Sequence, residues 1–238
     1  MTIDGLVERN GLYYKKFSNI PFTGGIHGTQ IGQFKDGKKH GEWTLYYDEG
    51  QLNKLENFNN GIADGLWETY YKNGRIQTRK NYKNGKEHGL HETFYRSGKL
   101  KAKYIQRNGK TVKAQWYYEN GQLEIKMNFN NGKRTGKYEE YHKNGTLKQN
   151  GQFIDDLVHG EVTHYSSDGK LLKLENYKNG FAHGAFKSFY KNGQVKSMQI
   201  MEDGLVTGTL KEFHENGQLS YSVEYNQRGQ EHGAVIGY

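Results

Sequence analysis

Apolar and polar residues alternate at every second position along most of this chain. Trp43 and Leu45 alternate with Glu42 and Thr44 in one segment, and in the following segment apolar positions such as Phe58 again share one parity. A period of two is typical of β-strands, whereas an amphipathic helix needs a period of 3.6. The pattern therefore predicts a protein built of strands, with no helix anywhere.

The strands belong to a repeated unit whose register can be set on one glycine. This first-turn glycine recurs every 24 residues, with one step of 23, at Gly50, Gly74, Gly98, Gly121, Gly145, Gly169, Gly193 and Gly217. An aromatic residue stands four positions before each of them, at Tyr46, Tyr70, Phe94, Tyr117, Tyr141, Tyr165, Phe189 and Phe213. An aliphatic residue stands two positions after each. A fixed period of this size indicates a repeat architecture.

Two further glycine series complete the unit. The second closes it at Gly37, Gly61, Gly85, Gly109, Gly132, Gly180 and Gly204, with Asp156 in its place once. The third opens the next unit and often follows a histidine. Short Asn-Gly and Asp-Gly turns supply the positive φ values of tight hairpins. We therefore predict an all-β fold, an elongated and twisted antiparallel meander of about eight 24-residue β-hairpin repeats.

The ends of the chain depart from the repeat. Residues 12–17 are predicted to form a strand and Ile20–Gly24 the turn after it, and the single proline, Pro21, lies there. Open sheets need protected edges, so we predict an N-terminal cap over residues 1–34. The repeat array is predicted over residues 35–233, and a C-terminal cap strand over 234–238.

Composition limits the location and the chemistry. The chain has 238 residues, of which 33% are hydrophobic and 14% aromatic, and it has no cysteine. No apolar run follows a basic start in residues 1–10, and no stretch approaches the roughly 20 apolar residues of a membrane span. We therefore expect a soluble, cytoplasmic protein, unless a leader has been removed. Without cysteine it has neither a disulfide framework nor a thiolate metal site.

The repeat resembles a known family. The pattern G-x-W-x-x-Y-Y-x-N-G-x-L followed by Y-K-N-G-K-x-x-G, as in Gly65 to Gly89, is similar to the bacterial variant of the MORN repeat. The start of the chain, from Leu12 to Gly24, resembles the N-terminus of YwqK-type antitoxins of toxin-antitoxin systems. The tryptophan of the pattern is replaced at His91, Ala114, Tyr138, Val162, Phe186 and Leu210. A shared binding stripe built on tryptophan is therefore not expected.

This resemblance implies a non-catalytic protein. An antitoxin or immunity-like factor neutralises a partner toxin by direct binding and needs only a complementary surface, for which tyrosine and tryptophan are common anchors. The aromatic residues four positions before each first-turn glycine recur without exception, which favours packing between repeats over contact with a partner. The resemblance thus implies a protein partner, with no cofactor and no enzymatic activity.

The residues themselves point to no metal or catalytic site. His40, His88, His159, His183 and His232 each precede a glycine of the third series. Equivalent positions of neighbouring repeats would be about 10 Å apart, too far for two nitrogens on one zinc ion. His164, Ser166, Ser167 and Asp168 occupy a first turn, where serine and aspartate are ordinary turn formers. No phosphate-binding loop of the form G-x-x-x-x-G-K-[ST] is present.

The net charge leaves an alternative function open. With 34 basic and 26 acidic residues the formal charge is +8, which favours an acidic partner, an anionic membrane or nucleic acid. Two positions before each turn glycine, however, the charges sum to only +1 at the first turns and +3 at the second turns, so neither edge is a continuous basic track. The alternatives are a peripheral scaffold on an anionic membrane surface and, less favoured, a nucleic-acid-binding protein. The oligomeric state is left open.

Overall fold

The computed structural model describes residues 1–233 and the backbone of 236–237. The chain forms two compact units, unit 1 from Met1 to Val112 and unit 2 from Lys113 to Tyr238. Apart from a single 3-10 turn, Ile3–Gly5, the regular structure of the described residues is β-strand. Within this part of the chain, no helix has the length and apolar character that a membrane crossing would require.

The strands follow one another closely along the sequence. Unit 1 contains β1 (Leu6–Arg9), β2 (Leu12–Lys15), β3 (Gly24–Ile26), β4 (Gln30–Lys35), β5 (Lys38–Tyr46), β6 (Leu52–Asn59), β7 (Ile62–Ala63), β8 (Gly65–Tyr70), β9 (Ile76–Lys83), β10 (Lys86–Glu87), β11 (Gly89–Phe94) and β12 (Leu100–Arg107). Strand β13 (Lys110–Tyr117) includes the boundary between the units. Unit 2 continues with β14 (Leu123–Asn130), β15 (Lys133–Tyr141), β16 (Leu147–Ile154), β17 (Leu157–Val158), β18 (Gly160–Tyr165), β19 (Leu171–Lys178), β20 (Phe181–Ala182), β21 (Gly184–Phe189), β22 (Val195–Glu202), β23 (Leu205–Phe213), β24 (Leu219–Tyr225) and β25 (Ile236–Gly237).

Within each unit, strands that are close in sequence pair antiparallel, which confirms the predicted all-β meander of hairpin repeats. Between β5 and β6, Trp43 lies opposite Glu56 and Gly41 opposite Phe58, so these residues share one face as their parity predicts. The strands are more numerous than two per repeat because, in four of the eight repeats, the strand around the glycine of the third series is split in two. Gly65, for example, has φ of +104° and begins β8, one residue after Asp64, which separates β7 from β8.

The first-turn and second-turn Asn-Gly pairs supply positive φ values, as predicted, but they form two different turns. At a second turn, Asn84 and Gly85 have φ of +51° and +76°, the paired left-handed geometry of a type I′ hairpin. At a first turn only the glycine is left-handed, as Gly74 is with φ of +79°. A β-bulge between Thr69 and Tyr70 compensates in the strand pairing. The longer first turn leaves its asparagine in ordinary backbone geometry.

The buried core of unit 1 lies at its N-terminal end. Leu6, Phe22, Ile26, Phe34 and Trp43 form one cluster, and Trp43 has no exposed surface. Side chains of the first 34 residues therefore cover the aromatic face of the first repeat.

Two details of the N-terminal segment differ from the sequence interpretation or extend it. The strand predicted over residues 12–17 ends at Lys15, because Phe17 adopts a left-handed φ of +66° and is fully exposed. Pro21 forms an isolated antiparallel bridge with Tyr14. The boundaries proposed for the caps and the array stay predictions.

Among residues 113–233 of unit 2, side chains cover the sheet face without a comparable cluster. Tyr138, Phe153 and Val162 are buried on this face, and Gly151 supplies room for the Tyr138 ring, since a Cβ on Gly151 would lie 2.9 Å from Tyr138 Cε1. At the C-terminal end β25 pairs antiparallel with β24. Residues 234, 235 and 238 of the predicted C-terminal cap strand lie outside the described residues.

Candidate binding surfaces

Aromatic side chains on one sheet face of unit 1 pack against one another. In unit 1 the ring centroids of Phe58 and Trp67 are 5.1 Å apart, and those of Trp67 and Tyr82 are 5.0 Å apart. The indole N–H groups are also satisfied, because Trp43 Nε1 donates to Gln33 O at 3.1 Å and Trp67 Nε1 to Asn57 O at 2.9 Å. These rings are partners of one another across neighbouring strands, so they stabilise the sheet.

The opposite face of unit 1 carries a satisfied ionic network. Glu68 is buried, accepts a hydrogen bond from Arg79 Nε at 2.7 Å, and accepts another from the Tyr70 hydroxyl. Burial and the adjacent Glu68 carboxylate raise the pKa of Tyr70 to about 12. Arg79 also faces Glu92, with 3.7 Å between the charged groups. Because every member has a partner, this network is structural.

At five first turns, an aromatic side chain joins one repeat to the next. The residue three positions before the turn glycine reaches forward, and its hydroxyl or ring nitrogen lies 2.7 to 2.9 Å from a carbonyl oxygen 23 residues ahead. These pairs are Tyr47 with Tyr70, Tyr71 with Phe94, Tyr118 with Tyr141, His142 with Tyr165, and Tyr190 with Phe213. Ser166 is too short for this bond and instead donates to Asp168 within its own turn. The first-turn edge is therefore a ladder of internal hydrogen bonds.

Two histidines of the third glycine series make local hydrogen bonds. His40 Nδ1 accepts a hydrogen bond from the backbone N–H of Asn60 at 3.4 Å, and His159 Nδ1 accepts one from Asn179 at 3.5 Å. Each ring thus caps the second turn of the next repeat. In residues 1–233, which include all ten histidines, no group of three His, Cys, Asp or Glu side chains has the geometry to hold a metal ion.

The residues considered for nucleophilic catalysis are not assembled into a triad. His164 Nε2 lies 3.2 Å from Glu175 Oε2, on a strand. Ser166 and Asp168 bond each other in the turn. The His164 imidazole and the Ser166 hydroxyl therefore bond different partners, whereas a catalytic triad requires the nucleophile to be hydrogen-bonded to its base.

His91 occupies the tryptophan position of its repeat without a full set of polar partners. Its ring packs on Tyr104 with centroids 5.1 Å apart, and both ring nitrogens are buried without a hydrogen bond. The nearest carboxylate, Glu87, is 3.6 Å from Nδ1, too far for a hydrogen bond. Burial lowers the pKa of His91, and the nearby Lys80 ammonium adds to the effect while Glu87 opposes it.

The positive charge is concentrated in unit 1. Unit 1 contains 19 Lys and Arg against 11 Asp and Glu, whereas unit 2 contains 15 of each kind, so the whole net charge of +8 belongs to unit 1. Six exposed basic side chains flank the second turns of unit 1, at Lys35, Lys38, Lys83, Lys86, Arg107 and Lys110. A groove of about 350 Å³ on this edge is lined by Lys83, Asn84, Lys86, His88 and Asn108. We call this surface the basic edge.

The second turns of unit 2 expose apolar side chains in the same register. The residue immediately after the turn is Leu157, Phe181 or Leu205 in three consecutive repeats, with exposed fractions of 48%, 62% and 47%. Ile154, 49% exposed, pairs across the strand with Leu157. We call Leu157, Phe181 and Leu205 the apolar row. Exposed apolar side chains in a contiguous patch mark interaction sites more often than single ones do.

Comparison with known protein families agrees with this repeat geometry. The model of the MORN repeat variant matches eight segments, residues 39–60, 63–84, 87–108, 110–131, 134–155, 158–179, 182–203 and 206–227. The chain belongs to the MORN repeat variant family. No curated protein matches it. Among solved structures, the crystal structure of the GtfA/B complex bound to UDP and GlcNAc aligns at 16% identity and a TM-score of 0.23, covering 49% of this chain and 23% of that chain.

MORN repeats are generally non-catalytic elements that take part in binding, and they are associated with protein or membrane partners. In this MORN repeat protein, sequence reasoning missed both the basic edge and the apolar row. The sequence prediction considered the charges two positions before each turn glycine, but not the residue immediately after each second-turn glycine. That position reads Lys38, Ile62, Lys86, Lys110, Lys133, Leu157, Phe181 and Leu205. The change from lysine to apolar residues along this series was the available signal.

Proposed function

We propose that this protein is a non-catalytic binding protein of the bacterial cytoplasm that neutralises a partner toxin by direct contact, in the manner of an antitoxin or immunity factor. The apolar row is the observation that supports a protein as the partner. The family supplies the general binding role, and the N-terminal resemblance to YwqK-type antitoxins supports the specific one.

The apolar row is not required by the repeat fold. The equivalent position holds Lys86 in unit 1 and Lys133 in unit 2, and a strand begins at each of these lysines as it does at Phe181. Exposing Phe181 therefore has no benefit for folding that a lysine would not give. A partner that covers the row would remove this apolar surface from water, at about 25 cal/mol per Å² buried.

Charge also favours a protein partner for unit 2. Its basic and acidic residues are equal in number, so it has no excess charge to attract an anionic surface. Burial of apolar side chains depends little on salt, whereas attraction between exposed charges is screened beyond about 10 Å at roughly 0.1 M salt. Partner binding by the apolar row should therefore survive moderate salt.

A capture experiment with matched variants tests this proposal. The full chain is used as bait in extracts of its host, with nuclease treatment and about 0.3 M salt. The variant Leu157→Lys/Phe181→Lys/Leu205→Lys is compared with Lys38→Gln/Lys86→Gln/Lys110→Gln. We expect a stoichiometric protein that the wild type and the glutamine variant retain and the lysine variant loses.

The captured protein should inhibit growth when expressed alone and should be harmless when co-expressed with the wild-type chain. Failure of the wild type to retain any stoichiometric protein at this salt would refute the proposal. A retained partner that does not inhibit growth would refute the antitoxin role.

The basic edge supports a second candidate, a peripheral scaffold on an anionic membrane surface. All of the net charge lies in unit 1, and lysines near an anionic bilayer contribute about 1 kcal/mol each. Sedimentation with vesicles rich in phosphatidylserine tests this. The wild type should bind at low salt and dissociate as salt rises, and Lys38→Gln/Lys86→Gln/Lys110→Gln should bind more weakly. Equal binding of the two proteins would exclude this role for the basic edge.

A further inference from the structure

One second turn of the basic edge lacks the hydrogen bond that caps its equivalents. At three other second turns, the first backbone N–H of the turn donates to the side chain 20 residues earlier, directly before a third-series glycine. These pairs are Asn60 with His40 at 3.4 Å, Asn84 with Asp64 at 3.2 Å, and Asn179 with His159 at 3.5 Å. The equivalent pair at the next turn of unit 1 is Asn108 with His88. Among residues 1–233, neither the Asn108 N–H nor the His88 ring has a hydrogen-bond partner.

These unused groups belong to one groove. Gly109 N donates to Glu87 O at 2.8 Å, which holds the Asn108–Gly109 turn beside His88. The groove of the basic edge is lined by Asn108 and His88 together with Lys83, Asn84 and Lys86. The two lysines lie opposite each other in the pairing of β9 and β10, on either side of the preceding turn. The lining therefore combines an unused backbone N–H and an unused imidazole with two ammonium groups.

The charge around the groove is positive. Exposed basic side chains at these two turns include those of Lys83, Lys86 and Arg107. Glu87 does not offset them, because its Oε1 lies 2.6 Å from Lys80 Nζ. Asp64 remains, and its Oδ2 accepts the N–H of Asn84 at 3.2 Å. With Glu87 and Lys80 neutralising each other, three positive groups outnumber one carboxylate, so the groove attracts anions.

The extent of the positive charge limits the size of the anion. The positions that hold Lys83 and Lys86 hold Asn59 and Ile62 at the preceding turn, and Asn130 and Lys133 two turns later. A pair of basic residues is therefore present at only two consecutive turns, which are about 10 Å apart. A nucleic-acid backbone is neutralised by a longer row of basic residues. A phosphate monoester is compact, carries a charge of about −1.5 to −2 and has three acceptor oxygens, which suits this short cluster of donors.

Unit 2 shows that a histidine at this position does not suffice. His183 also precedes a third-series glycine, and its Nδ1 lies 3.7 Å from Asp203 Oδ1, too far for a hydrogen bond. The turn there carries the carboxylates of Glu202 and Asp203, which would repel an anion. The groove of unit 1 differs because lysine and arginine surround its unused donors.

We propose that the groove at His88 and Asn108 binds a single phosphate monoester. The His88 imidazole and the Asn108 N–H donate hydrogen bonds to its oxygens, and Lys83 and Lys86 balance its charge. Hydrogen bonds from such donors to a charged oxygen are stronger than those between neutral groups. This goes beyond the proposed function, because neither toxin neutralisation nor adsorption to a bilayer needs a site for one anion.

Nuclear magnetic resonance of the isotopically labelled full chain tests this directly. The Asn108 amide and the His88 ring resonances are followed during titration with inorganic phosphate and with glycerol phosphate. Dimethyl phosphate, a diester with a single charge, is the control anion, and the ionic strength is held constant. Sedimentation with vesicles of phosphatidic acid or of phosphatidylserine then distinguishes a lipid headgroup, which is a monoester only in phosphatidic acid, from a soluble ester.

Matched aspartate variants separate the site from general charge. His88→Asp should cap Asn108 as Asp64 caps Asn84, and it places a carboxylate in the groove. His159→Asp makes the same change at a capped turn of unit 2. Both variants should fold, because Asp64 occupies the equivalent position, and thermal unfolding verifies this.

We expect the wild type to bind glycerol phosphate with a Kd of about 1 mM or below, and at least about fivefold more tightly than dimethyl phosphate. His88→Asp should lose at least about tenfold in affinity, and Lys83→Gln should also weaken binding. His159→Asp and Lys178→Gln should stay within about twofold of the wild type. Sedimentation with phosphatidic acid that only His88→Asp loses would identify a lipid headgroup as the ligand, and sedimentation that both aspartate variants retain would identify a soluble ester.

Three results would overturn this inference. They are absence of shifts at Asn108 and His88 up to about 10 mM inorganic phosphate or glycerol phosphate, equal affinity for dimethyl phosphate, and equal losses in His88→Asp and His159→Asp. None of them bears on the apolar row, so failure here is distinguishable from failure of the proposed function.

Discussion

Gly32 has a packing role that one methyl group should reveal. It lies buried in β4 next to Trp43 of β5, and a Cβ on Gly32 would be 2.5 Å from Cε2 and 2.7 Å from Cγ of the indole. The ring cannot easily move away. Trp43 has no exposed surface, its Nε1 is bonded to Gln33 O, and Phe34 packs edge-on at 4.9 Å. Gly32→Ala therefore forces strain into the core of unit 1.

The expected loss of stability follows from two opposing effects. The backbone of Gly32 is not left-handed, so alanine should by itself stabilise the strand by roughly 0.5 to 1 kcal/mol. Overpacking of a close-packed core costs about 1 to 3 kcal/mol, and complete displacement of the Trp43 ring would cost about 3 to 5 kcal/mol. We expect Gly32→Ala to lower the free energy of unfolding of unit 1 by about 1 to 3 kcal/mol.

Hydrogen exchange is the appropriate assay, because a repeat protein can open in parts and violate two-state behaviour. The exchange free energies of the β4 and β5 amides and of the Trp43 indole N–H should fall by the stated amount. Gly25→Ala in β3 is the matched control. Its Cβ would meet nothing closer than Gly32 O at 3.8 Å, so its effect should stay within about 0.5 kcal/mol. Equal effects of the two substitutions, or no effect of Gly32→Ala, would refute the packing argument.

Three further predictions concern polar groups of the repeats. Folding lowers the pKa of His91, so the stability that its neutral form contributes is present above about pH 6.5 and is lost as pH falls through the folded pKa. The urea midpoint of the wild type should therefore fall between about pH 7 and pH 5, and His91→Phe should reduce that fall. An unchanged fall in the variant would contradict this. Burial and Glu175 raise the pKa of Tyr177 to about 12, so its contribution is present below about pH 10 and lost above it. Tyr177→Phe should remove a late step from the alkaline absorbance titration, and loss of an early step would be the wrong result. Tyr71→Phe removes the hydrogen bond to Phe94 O of the next repeat and should lower the hydrogen-exchange free energy of the neighbouring strands by about 1 kcal/mol. Ser166→Tyr should add such a bond and slow hydrogen exchange in its own repeat. Faster exchange in Ser166→Tyr together with unchanged exchange in Tyr71→Phe would refute the ladder.

The sequence by itself determined the repeat and its strands. The recurring glycines and the alternation around Trp43 depend only on local backbone preference and on the period of a strand, so both could be read without coordinates. The family followed from the same residues. The turns were only partly predictable, since Asn73 and Asn84 precede identical glycines yet adopt different backbone geometry. The lengths of the flanking strands and a bulge decide between the two turns, and neither is a property of the dipeptide.

The tertiary structure decided which side chains remain available. Tyrosine is a common interface anchor, but the hydroxyl groups of Tyr47 and Tyr71 bond the neighbouring repeat. Leu157 and Phe181 resemble ordinary strand residues, but stacked second turns place them in one exposed row. Exposure depends on what the neighbouring repeats cover, and residues 24 apart become neighbours only when the strands pair. Local preference acts over a few residues, so the sequence specifies the repeated unit and the folded sheet specifies its surfaces.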